Sequence, residues 1–120
     1  MKHAPVSKPQ GKDLRILVED FNVTTRYGPI CVKAGKVWNG ANIPEVADFF
    51  LGLERFSPRL DGPTLVHDDG YGAKRFTMAE YNQIFYDMMV ENGIKERKAR
   101  WSFKALRAFG RRAWNRAKYT

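Results

Sequence analysis

Three consecutive side chains, His67, Asp68 and Asp69, form the chemistry-bearing cluster of this 120-residue sequence. A histidine beside carboxylates can act as a general base, because its ordinary pKa lies close to neutrality and a carboxylate can orient the imidazole. Tyr71 follows shortly after, and Asn39, Asn42 and Asn82 supply polar groups that could converge on the cluster. Three readings compete. As metal ligands, His67 and the aspartates are poorly supplied: the only other histidine is His3, and a catalytic zinc takes two or three. A carboxylate-rich magnesium or manganese site is the one metal option left, and the expectation is no bound metal and no cofactor. As acid–base machinery, His67 would be the base with Asp68 or Asp69 assisting. Sequence neighbours on a helix do not face each other, so the orienting group would come from elsewhere. No G-x-S-x-G nucleophile motif is present, and Cys31, the single cysteine, lies in a strand-like stretch. As structure, His67, Asp68, Tyr71, Asn39, Asn42 and Asn82 would form a hydrogen-bond network tying strands to helices. A buried amide without partners costs about 1–3 kcal/mol, so Asn82, on the core side of its helix, needs such neighbours. The structural reading is favoured.

The elements that must position these groups are legible in outline. Residues 1–12 carry two prolines and little apolar content, and read as a flexible arm that orders only against a partner. Residues 14–38 alternate and are rich in β-formers, with a turn at Tyr27-Gly28-Pro29. They predict a β-hairpin, with a third short strand near Lys36–Trp38. Asn39-Gly40 reads as a tight turn, and Pro44 suits the first turn of a short helix that buries Val46, Phe49, Phe50 and Leu53. Residues 54–63 read as a loop, and from Thr64 an apolar run delivers His67 before Gly70 and Gly72 interrupt it. Thr77 and Glu80 spell a capping box. The helix it opens carries an apolar stripe of Met78, Tyr81, Phe85, Met88 and Met89, and stops at Asn92-Gly93. A last helix is expected over about 95–117, with Trp101 and Phe109 facing the core and Trp114 and Tyr119 freer. The pattern predicts a single α+β domain over 13–120, with an N-terminal hairpin or small antiparallel sheet packed against three to four helices.

The charge is concentrated at one end. The net charge is +8, yet residues 95–120 hold ten basic residues against Glu96 alone. That segment therefore carries +9 and the rest of the chain −1. Such asymmetry points to an anionic partner: an acidic protein, nucleic acid or lipid head groups. The residues expected to hold it are Lys104, Arg107, Arg111, Arg112, Trp114, Arg116 and Lys118. The competing reading is a solvated helix face with its aromatics in the core. No apolar run is long enough to span a membrane and the first residues lack a signal-peptide core, so the expected setting is a cytoplasm.

Four segments carry a resemblance to a known family. KAGKVWNGANIPEVADFF resembles VPAGFxTDxASVPRxxW, and LVHDDGY resembles AAVLHDYLY. MAEYNQIFYDMMVENGI and ALRAFGRRAW are similar to two further motifs, in the family's order and spacing over roughly residues 14–116. The family is domain of unknown function 1353, common in tailed bacteriophages and prophages. The resemblance implies an acidic site around a histidine, and with it a hydrolase option acting on cell wall or phosphoesters. His67, Asp68 and Tyr71 match that signature. Asn39 and Asn82 stand where the family has aspartates, and Asp69 stands where a bulky apolar residue is usual. Asp-to-Asn exchange keeps size and hydrogen bonding while removing charge, which weakens a cation site and spares a network. The expectation is a phage-encoded, non-catalytic virion- or tail-associated structural or assembly component. It would bind a phage structural protein through its last helix, in the host cytoplasm during assembly and then in the virion. The alternatives are the hydrolase and a DNA-binding host-takeover protein.

Overall fold

The computed structural model describes residues 1–11, 14–38 and 58–117. Asn39, Asn42, the turn at Asn39-Gly40 and the short helix expected after Pro44 lie outside them, as do Lys118 and Tyr119 and the side chain of Phe109.

The β-forming stretch becomes two small antiparallel sheets. β3 (Phe21–Thr25) and β4 (Gly28–Val32) make the expected hairpin, in register from Phe21 opposite Val32 to Thr25 opposite Gly28. Alternation sends Val23, Ile30 and Val32 inward while Asn22, Thr24 and Pro29 face solvent. Thr25 closes the turn: its hydroxyl donates to the Gly28 carbonyl at 2.7 Å and accepts from the Tyr27 N–H at 3.1 Å. The second sheet has β2 (Arg15–Leu17) between β1 (Ser7–Pro9) and β5 (Val37–Trp38). Residues 14–23, which read as one strand, are broken at 18–20, because Asp20 turns back to accept from the Ala34 N–H at 2.9 Å. That bond, with Lys33 at 3.3 Å, also holds the Asp20 carboxyl below its usual range.

The first residues differ from the flexible arm expected of them. Ser7–Pro9 pairs with Arg15–Leu17, and His3 is buried between Gly62 and Asn92. The Asn92 side chain clamps it, accepting from the His3 N–H at 2.7 Å and donating to the His3 carbonyl at 3.0 Å and the Arg59 carbonyl at 2.9 Å. The partner that orders the arm is therefore the domain itself. Backbone groups with no local partner find one 89 residues away.

Three α-helices follow a single 3₁₀ turn at Pro58–Leu60. α1 spans Asp61–Ala73, so it starts inside the segment read as a loop and runs through both glycines read as interruptions. Pro63 sits in its first turn, where a missing N–H costs nothing. Gly70 is required by packing, since a Cβ there would stand 2.1 Å from the Tyr81 ring. Gly62 is required by the incoming N-terminus, since its Cβ would lie 2.7 Å from the His3 carbonyl oxygen. α2 (Met78–Glu91) opens with the expected capping box, Thr77 accepting from the Glu80 N–H at 3.1 Å and Glu80 accepting from the Thr77 N–H at 2.9 Å. It ends at Asn92-Gly93, with Gly93 at φ 90°. α3 covers Glu96–Arg116.

The sheets pack on the helices in one cluster, and the last helix packs in a second. Leu17, Val23, Ile30, Val32 and Trp38 pack on Leu65, Val66, Tyr71, Tyr81, Ile84 and Met88. A second cluster joins Leu60, Phe85 and Met89 to Ala99, Ala105 and Leu106 of α3. Each large side chain so buried contributes about 1.5–3 kcal/mol. The architecture is thus α+β, with small antiparallel sheets from the N-terminal half packed against helices. One hydrogen-bond relay fixes β5 against α1: the Trp38 indole N–H donates to Thr64 Oγ1 at 3.2 Å, and that hydroxyl donates to the Leu60 carbonyl at 2.7 Å.

Candidate functional site

His67 and Tyr71 lie four residues apart on α1, one turn along the same face, and their rings touch with centroids 4.0 Å apart and planes tilted by 40°. Asn82 reaches them from α2. Its Oδ1 accepts from the Tyr71 hydroxyl at 2.7 Å and lies 3.1 Å from His67 Nε2. An amide oxygen can only accept, so with Asn82 Oδ1 facing the ring the contact assigns the His67 proton to Nε2. Phe85 presents its ring to the imidazole at 5.1 Å. His67 is 4% exposed, Tyr71 4% and Asn82 1%. Burial pushes the His67 pKa down to about 4, against the raising effect of Asn82. The imidazole is therefore a neutral donor at physiological pH. Burial likewise pushes the Tyr71 hydroxyl well above its ordinary range. The Asn82 Nδ2 amide is the one buried side-chain polar atom among the described residues without a hydrogen-bond partner.

The two aspartates go elsewhere, because successive residues on a helix diverge by about 100°. Asp68 is exposed and pairs with Lys36 Nζ at 3.1 Å. Asp69 is half-buried. Burial raises its pKa and Asp68 adds to the rise, while Lys36 and Arg75 oppose it. The three consecutive residues thus divide into one core donor and two carboxylates at the helix edge. Among the described residues, no three of His, Cys, Asp and Glu gather as a set that could hold a metal ion.

Several partners of the site were not visible in the sequence. Lys36 comes from the turn before β5. Lys74, in left-handed conformation after α1, donates through Nζ to the carbonyls of Tyr71, Trp114 and Ala117, and sits 4.1 Å above the Trp114 ring. No local spacing announces contacts of 40 or more residues.

The basic helix has two unlike faces. Ala99, Ser102, Ala105, Leu106 and Gly110 are buried against the domain. Arg97, Arg100, Lys104, Arg107, Arg111, Arg112 and Arg116 are exposed. Glu96, the one acid of the helix, pairs with Arg100 at 2.7 Å. Of the two tryptophans, the one expected in the core is outside and the freer one is packed. Trp101 is 61% exposed, whereas Trp114 stands edge-on to Tyr71 at 5.0 Å. Thirteen residues separate them, which places them roughly 140° apart around the axis, so they cannot share a face. Trp114, grouped above with the partner-binding cations, belongs to the aromatic stack instead.

The sequence profile of a family described as protein of unknown function (DUF1353) matches residues 16–106. The uncharacterized protein y4iH of Sinorhizobium fredii is 35% identical over 77 residues, which cover 62% of this chain and 30% of that protein. The chain thus spans less than a third of the length of that relative. No solved structure matches it.

Proposed function

This chain belongs to the DUF1353 family of proteins of unknown function, and we propose that it is a non-catalytic binding module that holds an acidic partner on the outer face of α3. The observation that carries this reading is the composition of that face: every exposed ionisable side chain on it except Glu96 is a cation. Surface charge of one sign over a whole helix steers and holds an oppositely charged partner. The state of His67 supports the non-catalytic half. A neutral imidazole, buried and donating to a neighbouring amide, serves as a packing and hydrogen-bonding group. The phage or prophage setting implied by the sequence motifs makes the module a virion- or tail-associated structural or assembly component, active in the host cytoplasm. In that setting its acidic partner belongs to the particle or to what the particle contains.

A hydrolase is the alternative, and the observation in its favour is Asp69, a half-buried carboxyl of raised pKa beside Asp68. Such an enzyme would work from the α1 edge rather than from His67.

Two full-length variants test the proposal on beads coated with heparin or polyglutamate. Lys104→Glu/Arg107→Glu/Arg111→Glu should abolish capture while leaving the melting temperature within a few degrees of wild type. Asp69→Asn should leave capture intact. Capture that survives the charge reversal contradicts the proposal. So does turnover of a phosphoester or cell-wall substrate that Asp69→Asn abolishes. Mass spectrometry of purified particles tests the structural role: absence from both particles and assembly intermediates overturns it.

A further inference from the structure

We propose that the acidic partner is the phosphate backbone of double-stranded DNA, gripped by α3 lying along it. This rests on the reading of α3 as an anion-binding face and names the anion.

The argument is one of geometry and of side-chain type. Arg97, Arg100, Lys104, Arg107 and Arg111 follow one another at alternating spacings of three and four residues. At about 100° per residue they fall within a sector of roughly 80°, and at about 1.5 Å per residue they form a row roughly 21 Å long. All five are exposed. Successive cations stand about 4.5–6 Å apart along the axis. An acidic protein surface offers scattered carboxylates, whereas duplex DNA offers an unbroken line of anions, one per about 3.4 Å of axis on each strand. Four of the five are arginines, whose planar fork matches phosphate oxygens two at a time.

The helix is also held rigid from behind. Ala99, Ala105 and Leu106 bury its inner side against Leu60, Phe85 and Met89, and Lys74 ties its far end to α1. A stiff row suits a stiff duplex better than a flexible single strand. Trp101 flanks the row with 61% of its surface exposed, an apolar contact for the sugar edge or a thymine methyl.

The test is fluorescence anisotropy of the full chain with a labelled 20-base-pair duplex, titrated at rising KCl. Strong loss of affinity with salt is expected. Lys104→Ala/Arg107→Ala/Arg111→Ala should bind at least tenfold more weakly and shallow the log–log salt slope by roughly 2 to 3. Circular dichroism should be unchanged for the variant. Tighter binding to the single strand than to the duplex overturns the duplex assignment. Equal binding to polyglutamate of matched charge overturns DNA as the partner while leaving the anion-binding face standing. Binding to neither removes both.

Discussion

Tyr71 and His67 share one acceptor: the hydroxyl and the imidazole Nε2 meet the same Asn82 Oδ1, at 2.7 and 3.1 Å. The arrangement ties α1 to α2 with polar groups in the middle of an apolar core, where a donor that loses its acceptor is left without water. Asn82→Leu should therefore cost about 2–4 kcal/mol, measured by urea denaturation, because it strands two donors at once. A loss below about 1 kcal/mol would mean that neither bond matters to the fold.

Asn82→Asp poses the opposite question, since it introduces the aspartate that the resemblance implies at this position. A carboxylate at that position favours the imidazolium, so the His67 pKa should climb from about 4 to above its ordinary 6.5. NMR titration of the imidazole protons reads this directly, and an unchanged value would show that the variant side chain has turned away.

The wild-type histidine makes stability depend on pH with a definite sign. Its folded-state pKa of about 4 lies below the ordinary 6.5, so the unfolded chain takes up the proton first as pH falls. The stability present above pH 6.5 should be lost progressively toward pH 4, by up to about 3 kcal/mol. His67→Gln should remove that part of the slope. Parallel denaturation curves for the two proteins between pH 7 and 4 would contradict the buried neutral imidazole.

Gly70→Ala should be severe for a helix interior, where alanine ordinarily helps. Its Cβ would stand 2.1 Å from the Tyr81 ring, and the ring has Phe76 and Trp114 beside it. Overpacking of this kind costs about 1–3 kcal/mol, read as a fall in melting temperature. The double variant Gly70→Ala/Tyr81→Leu should recover part of the loss.

Asn92→Ala should release the N-terminal segment. Three hydrogen bonds to His3 and Arg59 disappear, two of them buried or partly buried carbonyl contacts, at a cost of about 1–3 kcal/mol. Limited proteolysis should then cut within the first ten residues, where the wild type resists.

What could be read from sequence was whatever follows from local period. The hairpin, the Thr77–Glu80 cap, the α2 stripe and the small-sheet α+β architecture all come from spacings of two, three or four residues. The grouping of His67, Tyr71 and Asn82 was accessible for the same reason: two lie one turn apart, and the third faces the core of the next helix. What escaped depends on distant residues. Gly70 reads as a break until Tyr81 is seen to occupy its space, and the first residues read as a loose arm until Asn92 is seen to hold His3. Trp101 and Trp114 traded places because both are apolar, and only the packing of Tyr71 and Lys74 decides which turns inward. Asn39, the first position of the acidic motif, and Asn42, expected in the hydrogen-bond network, lie outside the described residues.

The central claim separates a fold-holding core at His67 from a binding face on α3, and NMR mapping of a bound heparin oligosaccharide tests that separation most directly. The expected result is a run of shifted amide and side-chain signals at Arg97, Arg100, Lys104, Arg107 and Arg111, with His67, Asp68 and Asp69 unmoved. Shifts centred on His67–Tyr71, with α3 silent, would contradict it.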